Sequence, residues 1–381
     1  MIGVLTGRLC PIDVRPTAQH TWNHLRMLRQ SFVALVTALA VTGLLVACTG
    51  SGHGGKPTSS STAALPTISM HGGTVALTGP LASAAASAHV TPTPIDSVSC
   101  ADSFCMVGAG DVGLPISFAA ASPKPGVGSA ILAGHSEARF TISCTSSTFC
   151  LAAAVDGSGL AARWNGTSWT KVASLPSGAL QELASGMACG GPSLCLAIVS
   201  AGGSHPTVAA FTGRSWQTSK LDSAGQQLIQ VSCAGLASCL ALGTGGVVVR
   251  YSQGQWTAPT VVNAARSGAA DYPAGVSCAA GPFCVLAGSR AGVVLESSGG
   301  AFAPTDVPAL RTIAPQACGS AQFCLVQDRN TGQMAVLIGN QLRRAVGAEL
   351  VGRSGLPSCT AARLCVGLAS GGTVLNWAEA G

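Results

Sequence analysis

Fourteen cysteines fall in seven close pairs: Cys100/Cys105, Cys144/Cys150, Cys189/Cys195, Cys233/Cys239, Cys278/Cys284, Cys318/Cys324 and Cys359/Cys365. Four residues separate the first pair and five separate each of the others. First cysteines follow one another at 44, 45, 44, 45, 40 and 41 residues. A fixed period of that size marks a repeat architecture, one supersecondary unit per period.

More than cysteine recurs. A short apolar run follows each pair, as in "CLAAAV", "CLAIVS" and "CLALGT". A second run follows a turn, as in "GLAARW", "TVAAF" and "GVVVRY". A third opens after a Gly turn with an aromatic: Trp169, Trp216, Trp256 or Phe302. A fourth ends on the next first cysteine, as in "LIQVSC". Turn residues separate short strands, and the repeats contain no sustained 3.6-residue pattern. Four strands in 40–45 residues predict a β-propeller blade, and seven repeats predict an all-β, seven-bladed propeller with four-stranded blades. A β-helix usually repeats at shorter spacing, and a sandwich has no reason for seven equal modules.

The ends predict how the ring closes. The last repeat stops after its third strand, and "SMHGGTVALTGPLA" near residues 69–82 supplies a spare. The N-terminal strand is expected to complete the last blade and remove a free sheet edge. The first repeat, "FAAASPKPGVGSAILAG", lacks the Gly-x-x-Trp turn and holds two prolines, so its outer strand should be irregular.

Each first cysteine ends an innermost strand and its mate starts the next. Opposed residues of an antiparallel pair lie about 4.5 Å apart at the closer sites, near the lower end of what a disulfide spans. Each pair is therefore expected to staple its own hairpin. A closed loop of seven residues contributes about 2.4 kcal/mol in the chain-entropy model. Aromatics make up only 4% of the chain and Gly numbers 49, so the core is built from small side chains and staples offset the deficit. Zinc is the rival use of paired cysteines, but its ligands converge on one ion, and pairs spread around a ring cannot. No metal and no cofactor are expected.

Residues Ser31–Cys48, "SFVALVTALAVTGLLVAC", follow Arg26 and Arg29 and read as a secretory signal. An uncleaved anchor is the alternative, although 17–18 residues is short for a span. Leu45-Val46-Ala47-Cys48 resembles the lipobox of bacterial lipoproteins, which implies that Cys48 is lipidated and becomes the mature N-terminus. Met27 offers a second start, which would leave residues 1–26 untranslated. The expected organisation is a signal peptide over 1–47, a lipidated flexible linker over 48–67, and the propeller over 68–381. The expected location is the outer face of the cell membrane, lipid-anchored. Without Arg8, Arg15, Arg26, Arg29 and Asp13, 16 cations and 13 anions remain, a net charge of +3. No basic stripe appears, so nucleic acid is not an expected partner.

The repeat around Ser143-Cys144 and Phe149-Cys150, followed by Trp164-Asn165-Gly166 and Trp169, resembles those of secreted actinobacterial proteins predicted to be seven-bladed propellers. It is distantly similar to sialidase-type and galactose-oxidase-type propellers. The resemblance spans about residues 68–381 and implies the architecture. It implies no activity: the Ser-x-Asp-x-Gly-x-x-Trp box of sialidase repeats is absent, and Tyr251 and Tyr272 are the only tyrosines. His53, His71, His89, His135 and His205 lie mostly in the linker, the N-terminal segment or turns. No catalytic residue can be named.

The Gly-x-x-Trp turns should share a face with the cysteine pairs. The opposite face carries Glu182, Asp222, Arg266, Asp271, Tyr272, Arg290, Arg311, Arg329, Glu349 and Arg353 on its loops. The ligand-face candidates among them are Arg266, Asp271, Tyr272, Arg290, Arg329 and Arg353. Trp169, Trp216 and Trp256 could stack on sugars, but their fixed repeat position argues for packing between blades. The expected role is a monomeric, non-enzymatic binding or scaffold protein of the bacterial envelope, its partner an envelope protein or glycan. The alternative is an extracellular carbohydrate-active hydrolase or lyase.

Overall fold

The computed structural model describes residues 66–89, 95–118, 123–132, 138–176, 179–180, 186–200, 205–236, 238–263, 272–281, 283–288, 293–298, 301–306, 313–328, 333–338, 341–346, 357–361, 363–369 and 373–379. The signal, lipobox and nearly all of the linker lie outside them. Among the described residues no helix is long and apolar enough to cross a membrane.

Among the described residues, five sheets are each built from consecutive strands. The second runs Phe140–Ser146, Phe149–Ala154, Ala161–Trp164 and Trp169–Lys171, from innermost to outermost. The third repeats this order with Met187–Gly191, Leu194–Ser200, Thr207–Phe211 and Trp216–Lys220. The fifth does so with Pro273–Ala279, Phe283–Gly288, Val293–Ser298 and Ala303–Asp306. The first and fourth sheets open on Ser97–Ala101 and Leu228–Cys233, and each has a broken outer strand. In the first sheet, Lys124–Pro125 and Ser129–Ala130 both pair with Val112–Ser117, the irregularity that the two prolines predict.

The sixth sheet has eight strands. Ile313–Ser320, Phe323–Asp328, Met334–Ile338 and Gln341–Val346 form one half, and Ser358–Cys359, Leu364–Ala369 and Thr373–Glu379 belong to the other. Thr67–Ala76 joins them. Its residues 70–76 run antiparallel to 379–373, and its first three, Thr67, Ile68 and Ser69, run parallel to Arg344, Ala345 and Val346. The N-terminal strand thus closes the last repeat as expected, starting one residue before the expected boundary.

One expectation is corrected here. The stretch 69–82 is not one strand: it ends at Ala76, and a helix spans Thr78–Ala88. "TGPLASAAASA" is rich in the best helix former. Pro80 stands in the first turn, where its missing amide has no intrahelical role. His89 ends the helix in the left-handed region (φ 57°, ψ 38°), its amide donating to Ala85 and Ala86. Leu81, Ala84 and Ala85 are buried and pack with Val75, Leu114 and Leu368.

The innermost strands neighbour each other in chain order, and Ser97–Ala101 also neighbours Ser358–Cys359, so the series closes. Apolar clusters fill the gaps between consecutive sheets. Met106, Ile142, Cys150 and Trp164 lie together between the first and second. Phe149, Leu151, Ala197 and Phe211 lie between the second and third. Many of the buried residues are alanines, such as Ala152, Ala153 and Ala154, so sheets approach closely. A methyl built on Gly319 would overlap the carbonyl oxygen of Thr360, and one on Gly190 would overlap that of Gly235. At both places the sheets touch through backbone.

All seven cysteine pairs are disulfides: Cys100–Cys105, Cys144–Cys150, Cys189–Cys195, Cys233–Cys239, Cys278–Cys284, Cys318–Cys324 and Cys359–Cys365. In each the two residues are direct cross-strand partners. Their Cα atoms are 3.9–4.0 Å apart, closer than the 4.5 Å of an unconstrained pair.

Candidate binding site in the central channel

The innermost strands enclose a cavity of about 360 Å³. These strands begin at one face of the ring and reach their cysteines at the other. The Gly-x-x-Trp turns lie with the cysteines, as expected: Trp164 Nε1 donates to the Ser147 carbonyl inside the disulfide hairpin (3.1 Å), and Gly166 sits against Thr148.

The two cysteines of a pair are not equivalent, as their places on successive strands imply. The first of each, from Cys100 to Cys359, lines the channel. The second does not. Cys105, Cys150, Cys195, Cys239, Cys284, Cys324 and Cys365 sit one strand further out, each buried to 1% exposure or less. There they belong to the apolar packing between sheets: Cys105 packs with Val107 and Leu114, Cys195 with Phe211, Cys239 with Leu196, Cys284 with Leu286, Cys324 with Val326 and Cys365 with Phe323. The disulfides therefore tie the channel wall to the core, and only their inner sulfurs border the cavity.

The tryptophans are packing residues in two directions. Within a sheet, Trp169 lies 5.6 Å from Trp164, Trp216 lies 5.2 Å from Phe211 and Trp256 lies 5.0 Å from Tyr251. Between sheets, Trp169 covers Gly113, and Trp216 Nε1 donates to the Ala173 carbonyl (2.9 Å). The inter-blade reading is incomplete, because the cross-strand aromatic partner is part of each site. Phe302 instead lies under Arg250, 4.9 Å from ring centre to guanidinium.

Serine organises the channel wall. In five innermost strands the residue before the first cysteine is serine, half-buried and lining the cavity. Its hydroxyl oxygen accepts the amide of the first cysteine in the next sheet. Ser99 takes Cys144 (2.8 Å), Ser143 takes Cys189 (2.9 Å) and Ser232 takes Cys278 (2.9 Å). Ser277 takes Cys318 (2.8 Å), and Ser358 takes Cys100 (2.8 Å), joining the last innermost strand to the first. Ala188 and Ala317 occupy the other two places. Next to the Ala188 gap, Cys233 is half-buried while the other six first cysteines are buried. In the same sheet, Gln230 makes a two-bond clamp: its Nε2 donates to the Val276 carbonyl (2.9 Å) and its Oε1 accepts the Val276 amide (3.0 Å).

A serine at 188 would supply the missing acceptor for the Cys233 amide. Ala188→Ser is expected to stabilise the fold by about 1 kcal/mol, the net worth of one hydrogen bond. Urea unfolding of the variant beside the parent checks this.

The mouth of the channel carries charge. Asp96 and Arg139 stand where the first two innermost strands begin, and both line the cavity. Burial pushes the Asp96 carboxyl up to about 7, although the Gly110 amide and the Arg139 guanidinium both pull it down. The native state therefore holds the Asp96 proton more tightly than the unfolded chain does. That contribution is full at low pH and is lost as pH rises from about 4 through 7. Asp96→Asn is expected to be more stable than the parent at pH 8, by roughly 2 kcal/mol, and to flatten the profile across that window. Chemical denaturation at pH 4.5 and pH 8 measures both.

Of the ligand-face candidates, Tyr272 is described. It is exposed and lies against Gly246 where the fifth innermost strand begins. Asp222 is also exposed, and its carboxylate accepts the Ala224 amide within its own loop (3.0 Å). Arg266, Asp271, Arg290, Arg329 and Arg353 lie outside the described residues, as do Glu182, Arg311 and Glu349. Sequence reasoning missed Asp96 and Arg139, which stand four and five residues before their first cysteines and so do not align between repeats. The serine ring had a signal in the recurring Ser-Cys dipeptide.

No protein-family model matches the chain, and no curated protein does. Solved structures do. A streptogramin B lyase superposes with a TM-score of 0.57 at 9% identity, over 82% of this chain and 98% of its own. YCF48, in a structure bound to a D1 peptide, superposes at 0.55 with 12% identity, over 83% and 100%. The propeller domain of Cps50 (Swd1) from Myceliophteria thermophila gives 0.53 at 11% identity, over 76% and 98%. The chain is a β-propeller. At these identities the likeness is one of fold. A lyase and a peptide-bound protein share it equally, so the activity of this propeller is argued from its own residues.

Proposed function

We propose that the propeller is a lipid-anchored, non-enzymatic binding or scaffold protein on the outer face of a bacterial membrane. The observation that carries the location is the set of seven local disulfides, which form and persist outside a reducing cytosol. The lipobox-like Leu45–Cys48 supplies the anchor, and the Gly/Ser/Thr/Pro segment after it supplies a tether. Incorporation of labelled palmitate, abolished by Cys48→Ala, tests the anchor. An unlabelled parent chain would overturn it.

We infer that the propeller has seven blades. The eight-stranded sheet is two four-stranded blades joined where Thr67–Ser69 runs beside Arg344–Val346. Seven cysteine-bearing innermost strands and seven inter-sheet clusters among the described residues support this count.

The binding surface is the face at which the innermost strands begin. The other face is consumed by disulfide hairpins and tryptophan turns, whereas this one presents Arg139, Asp96 and Tyr272. The occupant is a protein or glycan of the envelope. That YCF48 shares this fold and is bound to a peptide supports a peptide-like ligand on such a scaffold. Cross-linking in intact envelopes followed by capture tests the reading. A partner whose capture is lost in Arg139→Glu is expected. Glycan turnover by the purified propeller, with no partner captured, would favour a carbohydrate-active enzyme.

A further inference from the structure

The serine ring leaves five donors unused. A hydroxyl has one proton and two lone pairs. In Ser99, Ser143, Ser232, Ser277 and Ser358 the oxygen accepts a cysteine amide, and no hydrogen bond among the described residues uses the proton. An amide donating into the oxygen polarises the O–H and strengthens it as a donor. The five stand at the same place in equivalent strands, so they lie at one level of the channel wall. The cavity they line is larger than a water-sized void. The adjacent channel-lining positions hold mostly cysteine, alanine, valine and isoleucine, and Ser97, Thr141 and Gln230 line the cavity two positions nearer the mouth. Arg139 stands at the mouth as a cation on the way in, beside Asp96.

A ring of polarised donors is matched by a group that brings several acceptor oxygens and no protons. We propose that the channel of this propeller binds a small oxyanion, a sulfate-sized ion or a carboxylate, through the hydroxyl protons of the serine ring. This site lies inside the ring and does not depend on what the outer face binds. A carboxylate can come from a free ion or from the end of a peptide, and the two share the same recognition chemistry.

The test uses the full chain. Isothermal titration with sulfate at fixed ionic strength, balanced with chloride, is expected to give one saturable site. Crystals soaked in selenate are expected to place the anomalous peak between the serines. Ser277→Ala removes one donor and should weaken binding about tenfold, the effect of one hydrogen bond to a charged acceptor. That variant also loses an inter-sheet bond, so Ala188→Ser serves as its counterpart: it adds a sixth hydroxyl and should tighten binding several-fold without loss of stability. Two short acetylated peptides, one with a free and one with an amidated C-terminus, separate the sources. Binding of sulfate alone assigns a free ion, and binding of the free-carboxylate peptide as well assigns a chain end. Absence of a saturable sulfate site, a selenate peak elsewhere, or unchanged affinity in both serine variants overturns the proposal.

Discussion

Reduction and alkylation of the seven disulfides is expected to abolish cooperative folding at 37 °C. Each bridge closes a loop of six or seven residues and contributes roughly 2.4 kcal/mol in the chain-entropy model. The terms are not additive. Even at half that value, together they match the 5–15 kcal/mol by which ordinary domains are stable. The apolar side has little in reserve, because many core positions hold alanine. Alkylation adds a second cost: the groups placed on Cys105, Cys150, Cys195, Cys239, Cys284, Cys324 and Cys365 would have to fit where the thiol side is fully buried between sheets. Reduction without alkylation separates the two costs. Scanning calorimetry and near-ultraviolet circular dichroism measure the outcome. The oxidised chain should show a sharp transition and the reduced chain none. A reduced chain that melted within a few degrees of the oxidised one would show that packing suffices.

Deletion of Thr67–Ala76 is the second large effect. The strand is hydrogen-bonded on both sides, antiparallel to Thr373–Glu379 and in part parallel to Gln341–Val346. Removing it uncovers two sheet edges and takes Ile68, Met70 and Val75 out of the apolar clusters they help to fill. At about 1.5–3 kcal/mol per buried apolar side chain, those three alone cost about 5 kcal/mol or more. The bared edges are also templates for pairing with other chains. The truncated chain is expected to aggregate or to run as oligomers by size-exclusion chromatography with light scattering. A peptide covering residues 64–78, added during refolding, should restore the monomer. A monomeric, fully stable truncation would mean that another segment closes the ring.

The repeat was legible because it is periodic. Cysteines at a steady 40–45 residues and runs of four to eight apolar residues leave few architectures open, and the hairpin pairing of Cys144 with Cys150 follows from their spacing alone. That the first cysteine of each pair borders the channel and its mate lies one strand further out was legible too, because the first ends an innermost strand and the second starts the next. Closure by the N-terminus was legible because the last repeat lacks one strand. The helix Thr78–Ala88 was not: "LASAAASA" carries no wide apolar stripe, and only Leu81, Ala84 and Ala85 turn inward. Tryptophans at fixed repeat positions promised packing between blades, but the partners Trp164, Phe211 and Tyr251 depend on register, which a motif does not state.

The channel chemistry was half legible. Ser-Cys recurs in five of the seven repeats, so the motif is visible, but its meaning lies in the neighbouring sheet. Each hydroxyl reaches an amide 41–46 residues further on, or 258 residues back across the closure. Asp96 and Arg139 meet at the mouth because two innermost strands begin side by side. They stand four and five residues before their cysteines, so no repeat alignment pairs them.

A crystal structure of the oxidised chain measures the central claim most directly. The account predicts seven four-stranded sheets around one channel, each with a disulfide across its innermost hairpin and with Ser358 bonded to Cys100 at the closure. A different number of sheets, free thiols at the paired positions, or an N-terminal strand detached from Thr373–Glu379 would contradict it.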